Sequence, residues 1–347
     1  MSSEKLNDFK WYTDGSSLER GEPGIVHSFT ASLAAVLNYI DGRVDPVQLM
    51  GSTGFAFRII VSEIMCPSAM SIFDWTEILP ESVEQAGHDC YYISRLWHEE
   101  EYEEERRRQA HELVSTAVGN GIPAIAWDIA DAEWGVIVGF DDDTGIYDTV
   151  THQGKSSTLP YERLGKNGIN IMSVTVPGDT NDRTSDEIVR NALTTAVQHG
   201  SQNEWMDRPK YQDGIPAYDL WAEIYKRWIL LIESDKIDNV NQDLAAYAKY
   251  YSAHYFGARC YARDYLRSIA LDNRLLNDAA RKYERTAEYL RPLWEKAPSA
   301  KRADIALLKS FAENLKKARQ SEEEGLDLIK QFLKSGDSSR KASISLE

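Results

Sequence analysis

The breaker residues of this 347-residue chain are concentrated in its first half, and this asymmetry constrains the fold more than any single motif. Residues 1–178 hold 16 of the 21 glycines and seven of the 11 prolines. Turns at that density are typical of short elements joined by loops. Beyond them, apolar side chains recur at helical spacing, as in Trp221, Ile224 and Trp228. We therefore predict a mixed domain over 1–178 and an all-helical bundle over 179–334.

The first domain is predicted to be α+β, because a buried helix precedes a run of short strands. Residues 28–39, SFTASLAAVLNY, are mostly small or apolar and indicate a helix that stops at Asp41-Gly42. Apolar runs bounded by turn residues indicate strands at 124–127, 134–140, 146–147 and 171–176. The tail over 335–347 has few apolar residues, and we expect it to be disordered.

The net charge limits the class of partner. Lys plus Arg is 39 and Asp plus Glu is 55, which gives a formal net charge of −16. Nucleic acids and anionic membrane surfaces both need clustered cations, so neither is a predicted partner. Residues 1–178 account for the excess, with 28 acidic and 12 basic side chains. An acidic field around a cleft in this domain would attract a cationic small molecule, such as an amine or an amino sugar.

The sequence carries no clear targeting or metal signal. No stretch approaches the ~18 apolar residues of a membrane span, and no apolar core follows the first charges. We therefore expect a cytoplasmic protein. Three scattered cysteines, Cys66, Cys90 and Cys260, do not form a metal knuckle, so no metal or cofactor is predicted. Homo-oligomerisation is left open.

Ser28 stands where a Gly/Pro loop meets the first buried helix, in the segment GEPGIVHSFTASL. The N-terminus of a helix lowers the energy of an anion formed there, and its N–H groups help to bind an oxyanion. A serine at that position suits a nucleophile. Alternatively, Ser28 or Thr30 is a simple helix cap. Local sequence leaves both interpretations open.

Several stretches of the first domain together resemble one branch of the papain-like superfamily. In chain order they are HSFTASLAAVLNYIDG, GSTGFAFRI, the CPS and FDW stretch, and AEWGVIVGFDDDTGIYDT. That branch includes the amino-terminal domain of butirosin biosynthesis protein H and related bacterial peptidase-like proteins. The resemblance covers roughly residues 20–176. Its members typically carry His-Cys where this chain has His27-Ser28, so the nucleophile position holds serine.

The resemblance also implies partners for the nucleophile. In peptidases of this type, the strand that ends in Gly-Tyr-Asp begins with the catalytic histidine, and the matching position in EWGVIVGFDDD is Glu133. An orienting Asp or Asn is expected on the next strand, where Asp148 is the nearest candidate. His152, just beyond it, is the best replacement base by sequence, and its alternative is an ordinary loop residue. Binding candidates near the cleft are His27, Cys66 and Trp134, although packing would also explain the first two.

Three functions compete at this point. The first is an acyl-transfer enzyme, a hydrolase or an acyltransferase, with Ser28 as nucleophile and Glu133, Asp148 or His152 assisting. The resemblance implies acyl transfer from a carrier protein to an aminoglycoside for butirosin protein H, so an acyl donor is a second predicted partner. The second function is a catalytically inactive papain-like scaffold that binds a ligand, and the third is an interaction module built on the helical domain.

Overall fold

Helices and antiparallel strands mix along the first part of the chain, and helices dominate the rest. The computed structural model describes residues 3–202, 210–234, 242–297 and 304–344. Its strands are β1 (Ser3–Lys5), β2 (Ile60–Ser62), β3 (His88–Arg95), β4 (Ala124–Ala130), β5 (Glu133–Asp141), β6 (Ile146–Val150), β7 (Ser156–Pro160), β8 (Met172–Thr180) and β9 (Tyr211–Asp213). Its α-helices are α1 (Gly15–Glu19), α2 (Ser28–Asp41), α3 (Pro46–Ser52), α4 (Trp75–Gln85), α5 (Glu103–Gly119), α6 (Ser185–Gly200), α7 (Ile215–Glu233), α8 (Gln242–Ala270), α9 (Arg274–Glu295) and α10 (Ile305–Ile344). This mixture confirms the α+β class.

Contacts within the chain define two compact units. The first comprises Met1–Gly15, Ile25–Leu49 and Asp74–Thr184, and the second comprises Ser16–Gly24, Met50–Phe73 and Ser185–Glu347. The boundary predicted at residue 178 describes only part of this division, because residues 16–24 and 50–73 belong to the helical unit. Hydrophobic periodicity does not assign such short segments to one unit or the other.

The first unit is built on an antiparallel sheet. Hydrogen-bonded neighbours follow the order β3-β8-β4-β5-β6-β7, and β1 also pairs with β5. Strand β5 therefore has β6 along one edge, and β4 and β1 end to end along the other. Its residues from Trp134 to Phe140 are all buried, so both faces of this strand are covered. Helices α2 and α5 both pack against it.

Helix α2 has clear signals at both ends. Its last residue is Asp41, and Gly42 follows in the left-handed conformation with φ 70°, which ends the helix without strain. His27, just before the helix, has extended backbone. Nine of the 14 helical residues are buried. The predicted buried helix and its end are thus confirmed, and Ser28 is the first residue of a helix that packs on β5.

The second unit is mainly helical. Helix α10 packs against α6, α7 and α9, and α8 packs against α9. The prediction of an all-helical domain is wrong in one detail, because β2 and β9 pair with Ile60 opposite Asp213. Three-residue strands are too short for alternation to be recognised in a sequence. None of the helices in the described ranges is long and apolar enough to cross a membrane.

Helix α10 extends into the tail over 335–347 that the sequence predicts to be disordered. It runs to Ile344, and residues 345–347 lie outside the described residues. Adding a residue to an existing helix is far easier than starting one, because nucleation has already occurred. Weak helix formers can therefore continue an established helix.

Two side chains one helical turn apart on α8 bond to the chain at β2. The N–H of Ile60 donates to the Tyr255 hydroxyl at 3.0 Å, and that hydroxyl donates in turn to the Ile60 carbonyl. The Arg259 guanidinium donates to the Arg58 carbonyl at 2.8 Å and lies 2.6 Å from the carboxylate of Glu322. Burial of these groups is tolerated because each polar atom named here has a partner.

Candidate functional site

The hydroxyl of Ser28 is bonded to a carboxylate far away in the sequence. Ser28 Oγ donates a hydrogen bond to Oε2 of Glu133, across 105 residues of chain. The side chain of Ser28 is only 3% exposed. The helix cap itself is His27, which makes no side-chain capping bond, and Thr30 Oγ1 donates to the His27 carbonyl at 3.0 Å. The capping interpretation of Ser28 and Thr30 is therefore wrong, since the Ser28 hydroxyl faces Glu133 instead.

A tight hairpin delivers Glu133 to this position. Ala130 of β4 pairs with Glu133 of β5, so the connecting loop is only Asp131 and Ala132. Both loop residues have left-handed backbone, with φ 57° and 54°. Two consecutive left-handed residues are the mark of a type I′ turn, whose twist matches that of antiparallel strands. The turn fixes where β5 begins, and hence where the Glu133 carboxylate lies.

The residue after Glu133 contacts the same hydroxyl. The main-chain N–H of Trp134 donates to Ser28 Oγ, with 3.3 Å between nitrogen and oxygen. Ser28 Oγ thus accepts one hydrogen bond and donates another. An N–H directed at this oxygen stabilises negative charge on it, as does the N-terminus of α2.

Three indole rings lie against one another beside this pair. The rings of Trp127 and Trp134 are 4.3 Å apart, and Trp75 lies 5.0 Å and 4.7 Å from them. The imidazole of His27 lies 5.6 Å from the Trp134 ring, and Phe29 lies 5.8 Å from it. We call Trp75, Trp127 and Trp134 the tryptophan cluster. The cluster is joined to the serine–carboxylate pair through Trp134, which follows Glu133 and donates its main-chain N–H to Ser28 Oγ.

Asp148 is not brought to Ser28. It pairs with Gly139 in the sheet, six residues along β5 from Glu133, which is a separation of about 20 Å along an extended strand. Its carboxylate lies 2.9 Å from the ammonium of Lys5. The expectation that Asp148 orients a catalytic base is therefore wrong. The register between β5 and β6 shifts between Ile137 and Gly139, a feature that the sequence does not reveal.

His152 lies in the turn that follows β6. The last pair between β5 and β6 joins Val136 to Val150, and the chain turns back from Thr151, whose N–H donates to the Lys155 carbonyl at 2.9 Å. The Nε2 of His152 lies 3.5 Å from the side-chain nitrogen of Gln153. The role of His152 as a base stays a prediction from the sequence, whereas the hydrogen bond to Ser28 belongs to Glu133.

Cys66 and His27 differ in their relation to the site. Cys66 belongs to the second unit, where its N–H donates to Ser62 Oγ at 2.7 Å and its Sγ lies 2.9 Å from Ser68 Oγ. It is therefore not assigned to the pair in the first unit. His27 is 2% exposed and precedes Ser28, so it shapes the entry to α2.

Sequence reasoning missed two members of the tryptophan cluster. Trp75 begins α4 and Trp127 belongs to β4, and neither occurs in a pattern that marks a site. The available signal was the density of tryptophan in buried elements, which packing explains equally well. Only the fold brings these rings to Trp134.

Glu133 and Ser28 together can exchange a proton. A carboxylate that already accepts the hydroxyl hydrogen bond is placed to take that proton as the oxygen attacks. No group of three or more His, Cys, Asp or Glu side chains among the described residues is arranged to hold a metal ion. Comparison with known proteins adds no assignment: no protein-family model matches the chain, and no curated protein matches it.

Proposed function

We propose that the first unit is a serine-dependent acyl-transfer enzyme, a hydrolase or an acyltransferase, in which Ser28 is the nucleophile and Glu133 is its base. The observation that carries this proposal is the hydrogen bond from Ser28 Oγ to Glu133. A nucleophile within hydrogen-bond reach of a base is the geometric requirement for covalent catalysis.

The scaffold that we propose for this chemistry is papain-like. A helix with residue 28 at its start packs against a sheet whose strand β5 begins at residue 133. The sequence resemblance implies the nucleophile at the first position and the base at the second. The contact between these two side chains supports that assignment, with serine and glutamate in place of cysteine and histidine.

The reaction divides into two acyl transfers. In the first, Ser28 Oγ forms a bond to the acyl carbon while its proton passes to the Glu133 carboxylate. The bond from the acyl carbon to the leaving group then breaks, and the Glu133 carboxyl gives its proton to that group. In the second transfer, water or an acceptor hydroxyl or amine attacks the acyl-serine, and Glu133 takes its proton and returns it to Ser28.

A second candidate function rests on the burial of the nucleophile. Ser28 is only 3% exposed, and its oxygen is engaged with Glu133 and Trp134. A carboxylate is also a weaker base than imidazole and cannot form an imidazolium–thiolate pair. These features favour an inactive papain-like scaffold that binds a ligand without turnover. The experiment that separates the two is therefore a measurement of turnover.

The test uses activated esters and thioesters with wild type, Ser28→Ala, Ser28→Cys and Glu133→Gln. We expect turnover by wild type, complete loss in Ser28→Ala, and a fall of about 10²–10⁴-fold in Glu133→Gln, because a general base contributes that factor. The control is Glu162→Gln, an exposed glutamate of the same unit, which we expect to behave as wild type. Activity in Ser28→Cys alone, with none in wild type, would instead establish the inactive scaffold.

A further inference from the structure

Strand β4 contains a bulge directly before the hairpin that carries Glu133. Ala126 pairs with Gly135 and Ala130 pairs with Glu133, so four steps along β4 match only two along β5. At the centre of the bulge, Asp128 has left-handed backbone with φ 59°. Bulges are common next to active sites, where they redirect a side chain. Left-handed backbone at a residue other than glycine costs free energy, which contacts with the surrounding structure must offset.

The buried carboxylate of Asp128 holds a distant loop. Asp128 is 2% exposed, and its Oδ2 accepts the N–H groups of Gly168 and of Ile169, the latter at 2.8 Å. The Asn167 side chain donates to the Asp128 carbonyl at 3.1 Å. Hydrogen bonds to a charged acceptor are roughly twice as strong as neutral ones. Three hydrogen bonds to Asp128 therefore join the bulge to residues 167–169.

The same loop is fixed at its ends by a buried cation. Arg95 is 1% exposed, and its guanidinium donates to the Gly165 carbonyl at 2.8 Å and to the main-chain and side-chain oxygens of Asn170 at 2.9 Å. Residues 165–170, which we call the strap loop, are thus held by Arg95 at both ends and by Asp128 in the middle. Arg95 of β3 and Asp128 of β4 together fix the place of the strap loop.

The bulge also positions Trp127, a member of the tryptophan cluster beside Ser28. Trp127 precedes Asp128, and its ring lies 4.3 Å from the ring of Trp134, the residue whose main-chain N–H donates to Ser28 Oγ. Because Trp127 lies within the bulge and Ala130 at its end pairs with Glu133, a shift of the bulge would displace both Trp127 and the start of β5. Displacement of a reacting group by about 1 Å can cost about 10²-fold in rate.

We propose that Asp128 is a positioning residue, which through the strap loop and the β4 bulge holds Glu133 against Ser28. The catalytic meaning of this placement rests on the proposed function, but the placement itself is measurable without turnover. Asp8 is a matched control, since it is also an aspartate of the first unit with left-handed backbone, φ 61°, but is exposed and lies outside the hairpin that carries Glu133.

The test uses Ser28→Cys as a reporter of the local charge. A carboxylate beside a thiol raises the thiol pKa above its ordinary value of about 8.5. The pH midpoint of alkylation by iodoacetamide is measured in Ser28→Cys alone and combined with Asp128→Ala, Asp128→Asn, Asp8→Ala or Glu133→Gln. We expect Asp128→Ala to lower the midpoint towards that of Glu133→Gln. Asp128→Asn, which keeps the acceptor and the left-handed backbone, and Asp8→Ala are both expected to leave it in place.

A merely structural role of Asp128 would lower thermal stability and leave the midpoint unchanged, and that result would overturn the inference. If Asp128→Ala fails to fold, Asp128→Gly replaces it, because glycine adopts the left-handed backbone at no steric cost. The acylation rate of native Ser28 in the Asp128 variants is measured in parallel. An unreactive wild-type Ser28 with a shifted midpoint refutes the proposed function alone, whereas a reactive Ser28 with an unshifted midpoint refutes the role of Asp128 alone.

Discussion

Ala132 carries a backbone conformation that its side chain disfavours. Its φ of 54° lies in the left-handed region, where a Cβ costs about 1–2 kcal/mol. Glycine removes that cost, and Asp-Gly is among the pairs that type I′ turns prefer. We therefore expect Ala132→Gly to raise the free energy of unfolding by about 0.5–1 kcal/mol, measured by urea denaturation.

The control for this prediction lies two residues earlier. Ala130 is at the end of β4, opposite Glu133, and has no left-handed backbone to relieve. Glycine there loses conformational entropy without compensation, so Ala130→Gly is expected to destabilise by about 0.5–1 kcal/mol. Equal effects of the two substitutions would show that the turn is not strained at Ala132.

The sequence predicts the positions of Ser28 and Glu133 in the site, but not that of Asp148. Ser28 follows from its place at the start of a buried helix, whereas Glu133 is implied by the resemblance to papain-like peptidases. The resemblance implies an orienting Asp or Asn on the next strand, where Asp148 is the nearest candidate, but the place of Asp148 depends on the register between β5 and β6. Register is set by cross-strand packing and turns, so a count along one strand does not give it.

At the scale of elements, α8 is tied to the chain at β2 by the Tyr255 hydroxyl. Burial raises the pKa of this phenol well above its ordinary value, so the hydroxyl keeps its proton and donates to the Ile60 carbonyl. Phenylalanine would leave a buried N–H and a buried carbonyl without this partner. We expect Tyr255→Phe to lower the free energy of unfolding by about 1–3 kcal/mol in chemical denaturation.

Tyr265 offers a matched control on the same helix. It is 0% exposed, and its hydroxyl has no hydrogen-bond partner within the part of the chain that the structure describes. Removing a buried hydroxyl of that kind leaves no group unsatisfied, so Tyr265→Phe is expected to be neutral or stabilising. A loss of stability as large as that of Tyr255→Phe would contradict the account of the α8 contacts.

Helices were predicted more successfully than the connections between them. The buried helix near residue 28 and its end at Asp41-Gly42 follow from apolar spacing and a C-terminal glycine. The bulge at Asp128 does not, because it depends on bonds to residues 167–169, about 40 residues further along the chain. Local patterns carry no information about such a contact.

At the scale of the whole molecule, the charge is confined to one unit. The first unit holds 27 acidic and 11 basic side chains, a net charge of −16, and the second unit is neutral. A field of one sign raises the local concentration of oppositely charged ligands and is screened by salt. We therefore propose that substrates with a positive charge are favoured.

This proposal predicts a salt dependence. For an ester with a cationic acyl group or leaving group, kcat/KM is expected to fall as ionic strength rises from about 0.05 M to about 0.5 M. A neutral ester of the same shape serves as control, and its kcat/KM is expected to stay nearly constant. A fall of equal size for both esters, or a preference for an anionic ester, would refute the role of the acidic unit.

The central claim is that Ser28 is a nucleophile assisted by Glu133, and trapping of the acyl-enzyme tests it most directly. Wild type, Ser28→Ala and Glu133→Gln are mixed with an activated ester, quenched, and measured by intact mass with peptide mapping. The account predicts one acyl group on Ser28 in wild type, formed about 10²–10⁴-fold more slowly in Glu133→Gln and never in Ser28→Ala. An acyl group on another residue, or equal labelling of wild type and Ser28→Ala, would contradict it.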